Sequence, residues 1–186
     1  DRLAPTAVEE GLPGRLQLRP NAVFIGDSNT ADANHWPKAV CDLQGWTLRN
    51  FAVGGSAFIH TTDSFLTQLQ RARDSAAFTN ASVGQVFISS PSNDIRAGHS
   101  IASAVGPVFD LAKSAFPNAK IHVLPALWPA NPQAIAGYST AHWTSLRTVV
   151  ELLRVQAGRV GAGFMDESWT WLLGETAMMI AGEVHY

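Results

Sequence analysis

Five short runs of apolar or β-branched residues, each broken off by small polar residues and separated by stretches of helical periodicity, constrain this chain most. Ala22-Val23-Phe24-Ile25 is apolar at consecutive positions and stops at Gly26-Asp27-Ser28. A run with no polar face suits a strand buried on both sides. Further strands are expected at residues 47–53, 85–89, 120–125 and near 163–166, with helices over 62–77, 101–116 and 140–157 between them. In the last of these, Trp143, Leu146, Val149, Val150, Leu153 and Val155 fall mostly on one stripe. Such alternation predicts right-handed crossovers and a single parallel sheet of about five strands with helices on both faces, the α/β class. Functional groups in such a sheet collect on loops beyond the carboxyl ends of the strands. That rule puts Ser28, Gly54-Gly55, Asn93-Asp94 and the loop 128–133 on one rim.

The 186 residues make one ordinary domain, with residues 1–20 as a Pro- and Gly-punctuated lead-in and 21–186 as the folded unit. At 46% hydrophobic and 15% charged, the chain can bury a core and is too apolar to be disordered. A net charge of −2 leaves no basic footprint, so nucleic acid is not an expected partner. The single cysteine, Cys41, allows neither an internal disulfide nor a multi-cysteine zinc site. No apolar run approaches the length of a membrane span, so membrane insertion is not expected, and residues 1–20 lack the basic-then-apolar pattern of a signal peptide. The missing initiator methionine fits a processed product or a domain excised from a larger protein.

Ser28 directly follows the first strand, on a tight strand-to-helix connection where backbone N–H groups can meet an anion. Taken alone, Gly26-Asp27-Ser28 reads better as a helix cap than as a catalytic motif, because Asp and Ser are both favoured at that position. Gly54-Gly55 alone reads as an ordinary turn. Two further blocks change the balance: Asn50-Phe51-Ala52-Val53-Gly54-Gly55-Ser56 after the second strand, and Pro91-Ser92-Asn93-Asp94 after the third. His185 then comes late, beyond the fifth strand.

With these four blocks in order, the chain resembles the SGNH hydrolases, or GDSL-type esterases, from about Val23 to its end. The resemblance implies a flavodoxin-like three-layer α/β/α sandwich and neither metal nor organic cofactor. It implies Ser28 as nucleophile and His185 as its general base. The oxyanion hole would be the Ser28 N–H, the Gly55 N–H and the Asn93 side-chain amide. The chemistry requires such a set: a serine hydroxyl needs a base to attack at neutral pH, and the tetrahedral oxyanion needs donors already in place.

The chain departs from the family pattern at three points. Pro91 replaces the glycine of the family's Gly-x-Asn-Asp block, and a proline there fixes φ and removes a donor, so the loop carrying Asn93 is expected to differ in shape. The family's aspartate, three residues before the histidine, is Gly182 here, with Glu183 one residue closer. Either Glu183 orients His185, or a backbone carbonyl does, or the site is a Ser–His dyad. The chain also ends one residue after His185, where family members continue, which suggests truncation at this point.

Trp128, after the fourth strand, overhangs the rim and is the candidate for substrate binding by stacking on a sugar or acyl chain; packing against the core is an equal reading. Trp36 and Trp143 are further stacking candidates. His35, His60, His99, His122 and His142 show no H-x₃-H pairing with a nearby carboxylate, so no metal site is expected. His122, inside the fourth strand, reads as a packed side chain. Asp27 and Asp94 read as residues that hold loop backbone through their side chains.

The leading expectation is a cofactor-independent serine esterase of small acyl esters, including carbohydrate O-acetyl groups, with a small ester or acylated glycan as substrate. The alternative is a glycan- or cell-envelope-binding module with little turnover, since the pattern is also similar to SGNH domains of actinobacteriophage tail proteins. That similarity favours an extracellular or virion-associated location over a cytoplasmic one. A flavodoxin-like nucleotide or flavin binder is the weakest class, because the loop at Gly26–Thr30 lacks the G-x-G-x-x-G spacing and a P-loop lysine.

Overall fold

The computed structural model describes residues 19–32, 36–59, 63–89, 91–125 and 140–165. Strand β1 (Asn21–Gly26) is buried at every position and pairs in parallel with β2 (Thr47–Asn50) on one side and β3 (Val83–Ser89) on the other. Strands β4 (Lys120–Leu124) and β5 (Gly163–Phe164) extend the sheet past β3, giving the all-parallel order β2-β1-β3-β4-β5. This is the expected α/β sandwich, in the flavodoxin-like order.

Helices α1 (Ser28–Ala31) and α2 (Trp36–Gln44) connect β1 to β2, and α3 (Phe65–Arg73) connects β2 to β3. After β3 come α4 (Ser92–Ala97) and α5 (Ala102–Ala115), and α6 (Thr140–Val160) precedes β5. The side-chain period of two divides each strand between two cores. Val23, Ile25, Val86, Ile88, Ile121 and Val123 face α3, α5 and α6. Ala22, Phe24 and Phe87 face the opposite layer, where Cys41 of α2 is buried and Trp36 and Trp46 pack. On that face Phe24 stacks on Phe87 at 4.6 Å and His122 stacks on Phe87 at 4.7 Å, with His122 Nε2 2.7 Å from Gln85 Oε1. His122 is a packed, half-buried side chain, and burial lowers its pKa, with Lys120 adding to the effect.

Several boundaries differ from the sequence expectation for local reasons. Helix α3 is shorter than 62–77 because the Ser64 hydroxyl caps it, accepting from Thr67 N–H at 3.3 Å, and the helix stops before Asp74. Strand β2 ends at Asn50, yet the chain stays bound to β1 through Phe51 N–H to Phe24 O (2.9 Å) and Val53 N–H to Gly26 O (3.1 Å). Helices α2 and α4 have no counterpart in the sequence reading, which anticipates α1 only as the helix start at Ser28. Helices α1 and α4 are too short for periodicity to register, and α2 buries only Pro37 and Cys41.

The topology directs attention to one place. From β1 the chain crosses to β2, and from β3 it crosses to β4 on the other side, so the two connections diverge above adjacent strands. Such a divergence opens a crevice beyond the carboxyl ends, here above the terminal pair Gly26 and Ser89. Among the described residues, no helix is long and apolar enough to cross a membrane.

Candidate active site

Gly26 ends β1 where a side chain has no room: a Cβ there would lie 2.5 Å from Thr30 Oγ1 and 2.9 Å from Ser89 O. The chain can therefore turn sharply into α1. Asp27, not Ser28, caps that helix. Its Oδ1 accepts from Asn29 N–H at 3.0 Å, and its carbonyl accepts from Thr30 and Ala31 N–H at 3.0 and 2.9 Å. The capping role that competed for Ser28 in the sequence is thus filled by its neighbour, and the Ser28 side chain is left half-buried at the crevice. As the first helical residue, Ser28 also presents a backbone N–H with no intrahelical acceptor.

The second block forms a turn against this elbow. Ser56 N–H donates to Val53 O at 3.2 Å, and Gly55 sits inside the turn at φ +77°. The positive φ is what requires glycine at 55, since a Cβ there would meet nothing within 4 Å. Gly54 lies against the nucleophile candidate: a Cβ on it would be 3.9 Å from Ser28 Cβ.

The third block supplies Asn93 from the first turn of α4. Its Nδ2 donates one hydrogen to Ser56 O at 2.9 Å, which ties it to the Gly54-Gly55 turn. The amide has a second hydrogen to offer. Ser28, Asn29, Gly54, Gly55, Ser92, Asn93 and Arg96 together line a cavity of about 370 Å³. Three segments far apart in sequence therefore converge on one hollow.

No protein-family model matches the sequence, and no curated protein matches it either. Solved structures do match. A candidate SGNH hydrolase from Slackia heliotrinireducens superposes with a TM-score of 0.64 at 23% identity, over 90% of both chains. The SGNH-hydrolase family esterase AlinE4 gives 0.63 at 16% identity, over 90% of this chain and 86% of that one. A catalytic mutant of an acetylxylan esterase from Geobacillus stearothermophilus gives 0.59 at 13% identity, over 87% and 81%. The chain has the SGNH-hydrolase fold.

Within the SGNH fold, Pro91 turns out to be accommodated. It precedes α4 at φ −84°, and its carbonyl accepts from Ile95 N–H at 3.2 Å, so the proline starts the helix from a position whose own N–H a helix does not use. Asn93 reaches the crevice from there. His185, Glu183 and Trp128 lie outside the described residues. Trp36 corrects the stacking expectation: its ring packs edge-on against Phe24 and Phe87 at 5.3 and 5.9 Å, and Nε1 donates to Asn29 O at 3.1 Å. Its ring belongs to the packing of that layer. Cys41 is no rival nucleophile, because burial, helped by Asp42, pushes its thiol up to about 11. Among the described residues, His, Cys, Asp and Glu form no group of three that could hold a metal ion. A larger hollow, about 530 Å³, lies between the α4–α5 turn and α6 near His99 and Leu152, away from the convergence of the three blocks.

Buried polar side chains brace these loops: Asp27 and Asp94 hold loop backbone as the sequence suggests, and Ser92, which the sequence reading did not single out, joins them. Ser92 Oγ donates to Asp27 Oδ2, joining the first and third blocks. Asp94, fully buried, accepts from Phe58 N–H at 2.7 Å and faces His99 Nδ1 at 3.3 Å, joining the third block to the second. Arg96, also unforeseen, is exposed at the cavity rim. Its signal was one turn of helix after Asn93, invisible until α4 was known to be a helix.

Burial raises the Asp94 carboxyl above its ordinary range; the Phe58 and Ile59 amides and His99 oppose the shift without cancelling it. The native chain therefore binds this proton more tightly than the unfolded chain. The stability that Asp94 contributes is full below the unfolded value of 3.8 and is lost as pH rises through the folded value. In urea unfolding, the stability of the wild type relative to Asp94→Asn is expected to decline as pH rises above 3.8. A difference independent of pH would contradict this.

Proposed function

We propose that the chain is a cofactor-independent serine esterase of small acyl esters, with carbohydrate O-acetyl groups as its substrate class. The convergence of Ser28, Gly54-Gly55 and Asn93 on one cavity at the β1–β3 switch point carries this reading. The SGNH-hydrolase fold supports it, and the acetylxylan esterase among the structural neighbours supports the carbohydrate part.

In this mechanism Ser28 Oγ attacks the ester carbonyl carbon while its proton passes to His185. The oxyanion that forms is held by the Ser28 and Gly55 N–H groups and by the second amide hydrogen of Asn93. The C–O bond to the alcohol then breaks, and His185 returns the proton to the leaving alcohol. Water, activated by the same imidazole, cleaves the acyl-enzyme and restores Ser28. Orientation of the ring falls to Glu183 or to a backbone carbonyl, or the site works as a Ser–His dyad.

A fluorophosphonate probe tests the reading directly. It is expected to label Ser28 and no other serine, in one-to-one stoichiometry, as read by peptide mass spectrometry. The labelling rate should fall as pH drops through the imidazole range, about 6.5 if unperturbed, because only neutral His185 accepts the proton. A rate that is flat between about pH 5 and 8 would remove His185 from the mechanism. No labelling at all would leave the glycan-binding module as the better reading.

A further inference from the structure

Helix α3 packs against the sheet through Phe65, Leu69 and Ala72, positions that form one stripe at helical spacing. Gln68 occupies the same stripe and is fully buried. An amide at a core-facing position is costly unless its hydrogen bonds are made, and an apolar side chain would fill the place more simply. Each polar atom of Gln68 has a partner, and apart from Asp63 the partners flank the candidate site in sequence, Gly26 two residues before Ser28 and Ser56 directly after Gly55.

Gln68 Oε1 accepts from Gly26 N–H at 3.0 Å. Nε2 lies 3.1 Å from Gly26 O, 2.7 Å from Ser56 Oγ and 3.2 Å from Asp63 O, so its two hydrogens are shared among three acceptors. Ser56 Oγ passes the chain on, donating to Gly26 O at 2.9 Å. Ser56 O in turn receives Asn93 Nδ2. The Gln68 amide thus grips both backbone polar groups of the residue two before Ser28, and the side chain of the residue after Gly55. Through Ser56 it is linked to Asn93. We infer that Gln68 is the positioning residue that sets the distance between the nucleophile elbow and the oxyanion donors. This rests on the serine-esterase reading for its catalytic consequence, but not for its structural one.

The geometry explains why an amide is needed. A carboxylate could still accept from Gly26 N–H, yet it would turn an acceptor toward the carbonyl oxygens of Gly26 and Asp63. A thioether of similar length would fill the volume and make none of the four contacts. Neither change touches the substrate cavity, whose lining does not include Gln68.

The test compares Gln68→Met and Gln68→Glu with the wild type, using p-nitrophenyl acetate and amide hydrogen exchange read by NMR. Both variants are assayed at temperatures where urea titration and near-UV circular dichroism show them fully folded. Turnover is expected to fall about 10- to 100-fold in kcat with KM within about twofold, because misplaced donors cost transition-state stabilisation more than ground-state binding. Exchange at Gly26 should accelerate in Gln68→Met, which removes its acceptor, and stay slow in Gln68→Glu, which keeps it. A kcat within about threefold of the wild type in folded Gln68→Met overturns the inference, as does unchanged Gly26 exchange in that variant. So does a loss of turnover that merely follows the folded fraction. If the wild type itself shows no turnover and no labelling of Ser28, the esterase reading fails. Gly26 exchange in the two variants then decides the positioning role alone.

Discussion

Ser28→Ala is expected to lower kcat for p-nitrophenyl acetate by about 10⁴- to 10⁶-fold, the range seen when a serine nucleophile is removed from a working site. The protein should remain folded, since among the described residues the structural roles at this elbow fall on other side chains: Asp27 caps α1, and Asp27 and Ser92 carry the polar link between the first and third blocks. A methyl group in a half-buried position also introduces no steric conflict. Urea unfolding should give a midpoint close to that of the wild type. Retained turnover would show that the ester is cleaved elsewhere, and the convergence at the β1–β3 crevice would then need another explanation. A large fall in stability would assign the hydroxyl to the fold.

Asn93→Ala should reduce kcat by about 10²- to 10³-fold with little change in KM, the usual cost of losing one oxyanion donor. The Asn93 amide has two hydrogens to place. One is committed to Ser56 O and holds the Gly54-Gly55 turn in register; the other is available to the developing oxyanion. Asn93→Ala removes both, so the variant alone confounds positioning with stabilisation. A stability measurement separates them, because the bond to Ser56 O is the structural one. A loss of kcat with a urea midpoint close to that of the wild type points to direct donation. A large loss of stability would mean that Asn93 acts by holding the turn. A change confined to KM in Asn93→Ala would move the residue from transition-state stabilisation to substrate binding.

The mechanism depends on elements that differ in how far the sequence exposes them. The first strand was readable because Ala22-Val23-Phe24-Ile25 is apolar on both faces, and the structure buries every residue of it. Ser28, Gly54-Gly55 and Asn93 could be assigned to one rim before any coordinates, because a parallel sheet carries its onward loops at one edge. Two short helices at that rim could not. α1 and α4 have four and six residues, less than the length at which an apolar stripe becomes detectable. Their ends decide the chemistry all the same, since α1 makes Asp27 the cap and frees Ser28, and α4 turns Pro91 from an obstacle into a helix start. Trp36 shows the same limit from the other side. Nothing in its neighbours distinguishes an indole that stacks on a substrate from one that packs on Phe24 and Phe87.

The alternation of strands and helices, hence the layered sheet, its parallel sense and the edge at which the three blocks emerge, is legible in the amino-acid order alone. Those follow from local periodicity and from the direction in which each block leaves its strand. How the blocks are held emerges only once the chain has folded. Gln68 meets Gly26 across 42 residues, Asp94 meets Phe58 across 36, and Ser92 meets Asp27 across 65. Each is a polar side chain in the interior, and its worth depends on a partner brought near by packing. A hydrogen bond of that kind leaves no periodic trace, because either end, read alone, is an ordinary polar residue whose burial is known only once the sheet has closed over it.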